Sequence, residues 1–309
     1  MTADDLSETL VDGLNATYGR HPGHRAAHAK GVLCAATFTP TAKAADLSRA
    51  RHFAGAPSRS HVRFSNGSGD PYAPDGARDG RGIGVKFYVD GATTDIVGLS
   101  LPAFFTRTPE DLVEFNAARR PDPATGQPDM AALGAYIAEH PEVMTAINAA
   151  ITHPIPASYA AITFHSLHAY GFVGGDGRVR HGRYHIVPEA DDAPLDEEEA
   201  AARPPDYLRA ELEKRLADGP AVFHLDVQLA ADGDPLDDPT APWPDEREVV
   251  RIGRLDVTAL AFDRETGGDI LVFDPTRVID GILLTDDPIL RARPGAYSVS
   301  IARRTAPAS

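Results

Sequence analysis

Residues 24–41 read HRAAHAKGVLCAATFTPT. Taken as a helix, the stretch places His24 and His28 on one face, four residues apart, as in many zinc sites. Taken as a turn feeding a strand, it separates them. The flanking sequence favours the second reading. Pro22 and Gly23 precede it, and the run after Gly31 is rich in β-branched and aromatic residues before Pro40 stops it. In an extended chain, residues four apart sit ~13 Å from each other. Two ligands so separated cannot share an ion at bond lengths near ~2 Å. No HExxH glutamate is present either. The metal reading fails, and a second question remains: why is this patch basic in so acidic a chain?

The formal net charge is −15 over 309 residues. That balance argues against nucleic acid and against an anionic membrane surface as partners. The N-terminus is acidic and amphipathic rather than basic and apolar, and no apolar stretch approaches the ~20 residues of a membrane span. A single cysteine, Cys34, excludes an internal disulfide framework. These features predict a cytoplasmic protein. Apolar residues make up 42%, enough for a sizeable core within one domain spanning 1–309.

Periodicity predicts a helix over 3–18, then strands in VLCAATFTPT, HVRFS, RGIGVKFYVD and TDIVGLSL. Helical patterns follow at 109–118, 129–139 and 141–151. ASYAAITFHSLHAYGFV and RVRHGRYHIV flank GGDG, a hairpin signal. A helix over YLRAELEKRLADG precedes strands in AVFHLDVQLA and EVVRIGRLDVT. Asp-Pro opens a final helix at DDPILRARPGAYSVSIARRT. Pro294 and Gly295 inside that helix are expected to kink or restart it. GRGIG reads as a turn entering a strand, since no strand–turn–helix context makes it a dinucleotide loop. So many strands with appended helices point to a barrel or a sandwich.

RAAHAKG, VRFSNGSG, RDGRGIGVKFY, DIVGLSLPAFFTR and RPGAY followed by Arg303-Arg304 occur in that order. The ordered set resembles the haem catalase superfamily, over roughly residues 18–304. The resemblance implies an α+β fold: a catalase-like antiparallel β-barrel core with appended α-helices, and haem b with ferric iron buried beside the barrel. It implies Tyr297 as the metal ligand and His28 as the acid–base, held by Ser65. Arg25, Arg63 and Arg304 are implied to bind the haem propionates, which would explain the basic patch. Phe115 is implied to pack on the haem, and Arg293 to support the phenolate of Tyr297. Offsets of four and seven residues keep Arg293, Tyr297 and Arg304 on one helix face. Imidazole suits proton transfer near neutral pH, and a phenol with an ordinary pKa near ~10 needs a cation beside it to ionise. Asp79 matches a channel acid or a turn former, and His168 a family histidine near the haem.

The chain departs from the family pattern where GLSLP, Gly98–Pro102, replaces the usual GNNTP. The distal asparagine is absent, with Leu99 or Ser100 in its place. Ala27 stands where larger catalases often carry valine, and His24 where the family has Glu or Gln. The resemblance therefore implies a peroxidase that reduces hydroperoxides, organic ones included, using a small reducing co-substrate and with weak or no catalase activity. Alternatives are a hydroperoxide-rearranging enzyme resembling allene oxide synthase, or a non-catalytic haem-binding module. One short helix precedes the first motif, where large catalases have arms that interlock tetramers, so a homodimer is expected.

Overall fold

The structure, a computed structural model, describes residues 2–122, 125–127, 129–262, 264–266 and 269–306. Its strands are β1 Gly31–Pro40, β2 Ser58–Asn66, β3 Arg81–Val89, β4 Ala92–Leu99, β5 Phe164–His165, β6 Tyr170–Val173, β7 Val179–Pro188, β8 Ala221–Leu229, β9 Val249–Leu260 and β10 Ile282–Leu284. Neighbours pair antiparallel in the order β7-β5-β4-β3-β2-β1-β9-β8, and β8 pairs back onto β7 to close a barrel. β6 extends the β5 edge of β7, and β10 pairs with β6. An Asp-Gly pair at 90–91, both residues with positive φ, closes the β3–β4 hairpin tightly.

The helices are α1 Ala3–Tyr18, α2 Ala42–Leu47, α3 Pro109–Ala118, α4 Met130–Glu139, α5 Val143–Ile151, α6 Glu197–Ala201, α7 Tyr207–Asp218 and α8 Pro288–Thr305. α1, α3 and α8 pack together outside the barrel. Among the described residues, no helix is long and apolar enough to cross a membrane.

An eight-stranded barrel has an interior just wide enough to be filled by side chains. Here aromatic rings fill it. Phe64 stacks on Tyr159 with centroids 5.4 Å apart, and Phe38 meets Phe87 edge-on at 5.0 Å. Each such ring contributes about 1.5–3 kcal/mol through burial. Cys34 is sealed in this core, and burial pushes its thiol up to about 12.

Three sequence expectations are corrected. Residues 24–28 are neither helix nor extended strand: the chain bends there, and β1 begins only at Gly31. The run 157–173 is not one strand. Ser158 caps a 3₁₀ turn that inserts Tyr159 into the core, where its hydroxyl donates to Asn66 Oδ1 at 2.8 Å, leaving two short strands. α8 runs through Pro294 and Gly295 as one helix, so it does not restart there. Gly295 serves packing, since a Cβ there would lie 2.2 Å from Ser7 Oγ on α1.

Candidate functional site

Residues paired directly across antiparallel strands share a face. Gly31 pairs with Ser65, Leu33 with Arg63, Ser65 with Gly82, Arg63 with Gly84, Gly82 with Leu99 and Gly84 with Val97. These residues therefore form one outer face of β1–β4, while Phe64 and Val62 point into the core. The glycines clear that face. A Cβ on Gly31 would meet the Arg63 guanidinium at 2.7 Å, one on Gly82 the His28 ring at 2.7 Å, and one on Gly84 the Phe273 ring at 2.7 Å. Gly82 and Gly84 lie within β3, in the strand expected over RGIGVKFYVD, and admit two rings against the sheet. Over this face lies a cavity of about 520 Å³, lined on its other sides in large part by α1, α3 and α8.

His28 lines the cavity with φ at +55°, in the left-handed region that histidine enters more readily than most residues. Its backbone N–H donates to the Gly67 carbonyl at 3.1 Å, and its Nδ1 lies 3.1 Å from Ser65 Oγ. Burial, then the charges of Arg63, Arg25 and Arg293, lower its pKa to about 3. The ring is therefore neutral at ordinary pH, with Nε2 the nitrogen not taken up by Ser65.

Tyr297 lines the same cavity from α8. Arg293 NH1 donates to its hydroxyl at 3.0 Å, and Arg293 Nε donates to His168 Nε2 at 2.9 Å. A guanidinium only donates, so His168 Nε2 accepts and the imidazole proton sits on Nδ1. That proton is given to Asp287 Oδ2 at 2.6 Å. Asp287 Oδ1 meanwhile caps α8 by accepting from the N–H groups of Ile289 and Leu290. Both His168 and Asp287 are 1% exposed, which makes the direction of this chain fixed. Burial, with Arg293 next, lowers the His168 pKa and keeps it neutral. For Arg293, burial works against the charge, but the Tyr297 oxygen, Tyr170 and Asp287 together outweigh it and the pKa is raised. A permanent cation thus faces the phenol oxygen.

Arg25, Arg63 and Arg304 also line the cavity, and they converge on a residue that sequence reading passed over. Glu265 Oε1 is 2.7 Å from Arg63 Nε, and Oε2 is 2.7 Å from Arg25 Nε and 3.7 Å from Arg304 NH2. Burial would raise the Glu265 pKa, but Arg63, Arg25 and Arg304 together hold it down at about 2. Its contribution to stability is present above the ordinary value of 4.5 and is lost as pH falls toward about 2.

Leu99 lines the cavity, whereas Ser100 Oγ turns away to accept from Arg81 N at 2.8 Å and to meet His153 Nε2 at 2.8 Å. Phe115 lines the cavity and stacks on Phe105 at 5.3 Å. Asp79 lines it too, while accepting from Ser68 N at 2.7 Å as a turn-forming acid does. Of the residues expected at the site, His28, Ser65, Arg25, Arg63, Phe115, Arg293, Tyr297 and Arg304 meet at this one cavity, whereas His168 does not line it and reaches it only through Arg293. Asp287, Glu265 and the glycines are additions. Their local signals were a helix cap, a loop acid and a turn.

The family model described as Catalase matches residues 10–308. A protein named catalase-related peroxidase from Mycolicibacterium paratuberculosis is 41% identical over 96% of this chain and 94% of that relative. A second catalase-related peroxidase, from Synechococcus elongatus, is 32% identical over 96% of this chain and 88% of its own length. The crystal structure of a fungal catalase superposes with a TM-score of 0.81 at 26% identity, covering 93% of this chain and 60% of that one.

Proposed function

This chain belongs to the catalase family and is an oxidoreductase acting on peroxide, and from that premise we propose a haem-dependent peroxidase that reduces organic hydroperoxides while oxidising small electron donors. The observation that carries the proposal is the cavity itself: it gathers a neutral imidazole, a phenol paired with a cation, and a cluster of guanidiniums.

The donor set fits haem b. Tyr297 presents a phenol oxygen that would hold ferric iron, with the Arg293 cation hydrogen-bonded to it. Arg25, Arg63 and Arg304 suit two buried carboxylates, which need such partners. Phe115, Val97 and Ile83 supply apolar wall, and about 520 Å³ lies within the ~300–1,000 Å³ usual for cofactor sites. Bound haem would supply the redox chemistry that takes two electrons' worth of oxidising power from the hydroperoxide and passes it to donors.

The protein's own part is proton movement and placement. His28 Nε2 takes the hydroperoxide proton and returns it to the departing oxygen as alcohol or water, the work of one neutral imidazole. Ser65 keeps the ring facing the cavity through Nδ1, and Gly82 leaves it the space to lie flat.

Leu99 then selects the outcome. It cannot donate a hydrogen bond, so a second hydrogen peroxide is not held for oxidation to oxygen. One lost positioning bond in an active site costs about 10²-fold in rate. Little oxygen should evolve from hydrogen peroxide, while an alkyl hydroperoxide should drive clear oxidation of phenolic or aromatic-amine dyes. Leu99→Asn is expected to raise oxygen evolution. An oxygen electrode and a dye assay on one preparation make the test. Wild-type oxygen evolution at the rate of large catalases, or a Leu99→Asn variant with no increase, contradicts the proposal.

A further inference from the structure

Glu265 does not line the cavity, yet three of the site's cations, Arg25, Arg63 and Arg304, are organised around it. It lies in the segment after β9, and its backbone carbonyl accepts from Arg304 Nε at 2.9 Å. Its carboxylate engages the Nε atoms of Arg25 and Arg63. The NH2 atoms of those arginines are spent on the Leu271 and His28 carbonyls, at 3.2 and 3.0 Å. Glu265 is not among the residues lining the cavity, whereas all three arginines are, so it stands behind them. Three guanidinium charges less one carboxylate leave two positive charges, the number that two propionates neutralise.

We infer that Glu265 is a built-in counterion that stabilises the haem-free pocket and weakens its hold on the carboxylates of haem. The inference rests on the haem reading of the site. In the haem-free protein, three arginines drawn to one point repel one another, and the partly buried Glu265 carboxylate offsets that repulsion. When two more carboxylates arrive at the same arginines, Glu265 is a like charge beside them. One residue thus acts with opposite sign on the two states, favouring the haem-free form relative to the loaded one. It acts through the arginines and is a positioning residue. The consequence for the protein is a pocket whose cations are already gathered and aimed before the cofactor arrives, at some loss of final affinity.

The test is Glu265→Gln, which keeps the side chain's size and an acceptor but removes the charge. Three measurements decide. The thermal midpoint of the haem-free variant should fall below that of wild type. Haem loss from the loaded variant, followed by transfer to apomyoglobin, should slow by about tenfold, as expected for removing one partly screened like charge. Iron protoporphyrin dimethyl ester, which lacks the carboxylate charges, should leave both proteins at the same rate. Haem loss that is unchanged or faster in the variant overturns the inference, as does an unchanged or higher haem-free midpoint. Equal slowing with the ester also overturns it, because the effect would then be general packing. Should the variant not fold without haem, protein loaded during expression still gives the transfer rates. A wild type that holds no haem contradicts the haem reading itself, and the inference falls with it.

Discussion

Tyr297→Phe is expected to lose most of its haem, and whatever remains should show a changed ferric spectrum. The hydroxyl is the one atom removed, and its hydrogen-bond partner in the structure is Arg293 NH1. The ring, and with it the packing of α8, is kept. Losing an outer partner of a metal ligand usually costs 10–100-fold in affinity. Losing the ligand atom itself should exceed about 100-fold. Haem content per chain and the absorption spectrum of variant and wild type, purified side by side, provide the check. An unchanged spectrum at full haem load would remove Tyr297 from the iron.

The second large effect is at His28. His28→Ala should retain haem but react with hydroperoxide about 10²–10⁴-fold more slowly, the usual contribution of a positioned acid–base. Its environment also fixes a pH response. The folded-state pKa, about 3, is depressed below the ordinary imidazole value of 6.5 by burial and by Arg63, Arg25 and Arg293. The ring therefore stays neutral as the pH falls from neutral to about 5, and the peroxide reaction should not decline there through charging of His28. Stability behaves differently. Below 6.5 the unfolded chain binds a proton that the folded one refuses, so the contribution of His28 is full above 6.5 and fades as the pH falls toward about 3. Stopped-flow mixing with an alkyl hydroperoxide across that range, with a parallel thermal melt, separates the two responses. A peroxide rate that falls with an apparent pKa near 6.5 would contradict the neutral-imidazole assignment, and so would a His28→Ala variant of wild-type rate.

The parts of the site legible in the sequence are those carried by short contiguous motifs. His28 and Arg25 sit three residues apart, Arg63 and Ser65 two apart on one strand, and Arg293 and Tyr297 one helical turn apart. Local periodicity settles how such neighbours point. What was not legible joins residues that chain separation hides. His168 and Asp287 are 119 residues apart, and Arg25 and Glu265 are 240 apart. Asp287 announces itself only as a helix cap, because one of its oxygens does that work while the other holds His168. Glu265 lies in a polar segment where an acid needs no explanation. The glycines of β3 fall in the expected strand, but their purpose, space for the rings of His28 and Phe273, is not legible because it belongs to other segments. Strand parity did hold one unused signal. Val97 and Leu99 share a face, so the choice between Leu99 and Ser100 follows from the β3–β4 register once Gly82 and Gly84 are recognised as the site face. The bend at 24–28 was missed because alternation says nothing of a left-handed histidine.

Resonance Raman spectroscopy of the ferric, haem-loaded protein tests the central claim most directly, because it reports the bond between iron and its protein ligand. With tyrosine labelled isotopically on the ring, the expected result is a set of phenolate modes of an iron-bound tyrosinate that shift with the label and vanish in Tyr297→Phe. A loaded protein whose ligand modes ignore tyrosine labelling, or a protein that takes up no haem, would contradict it.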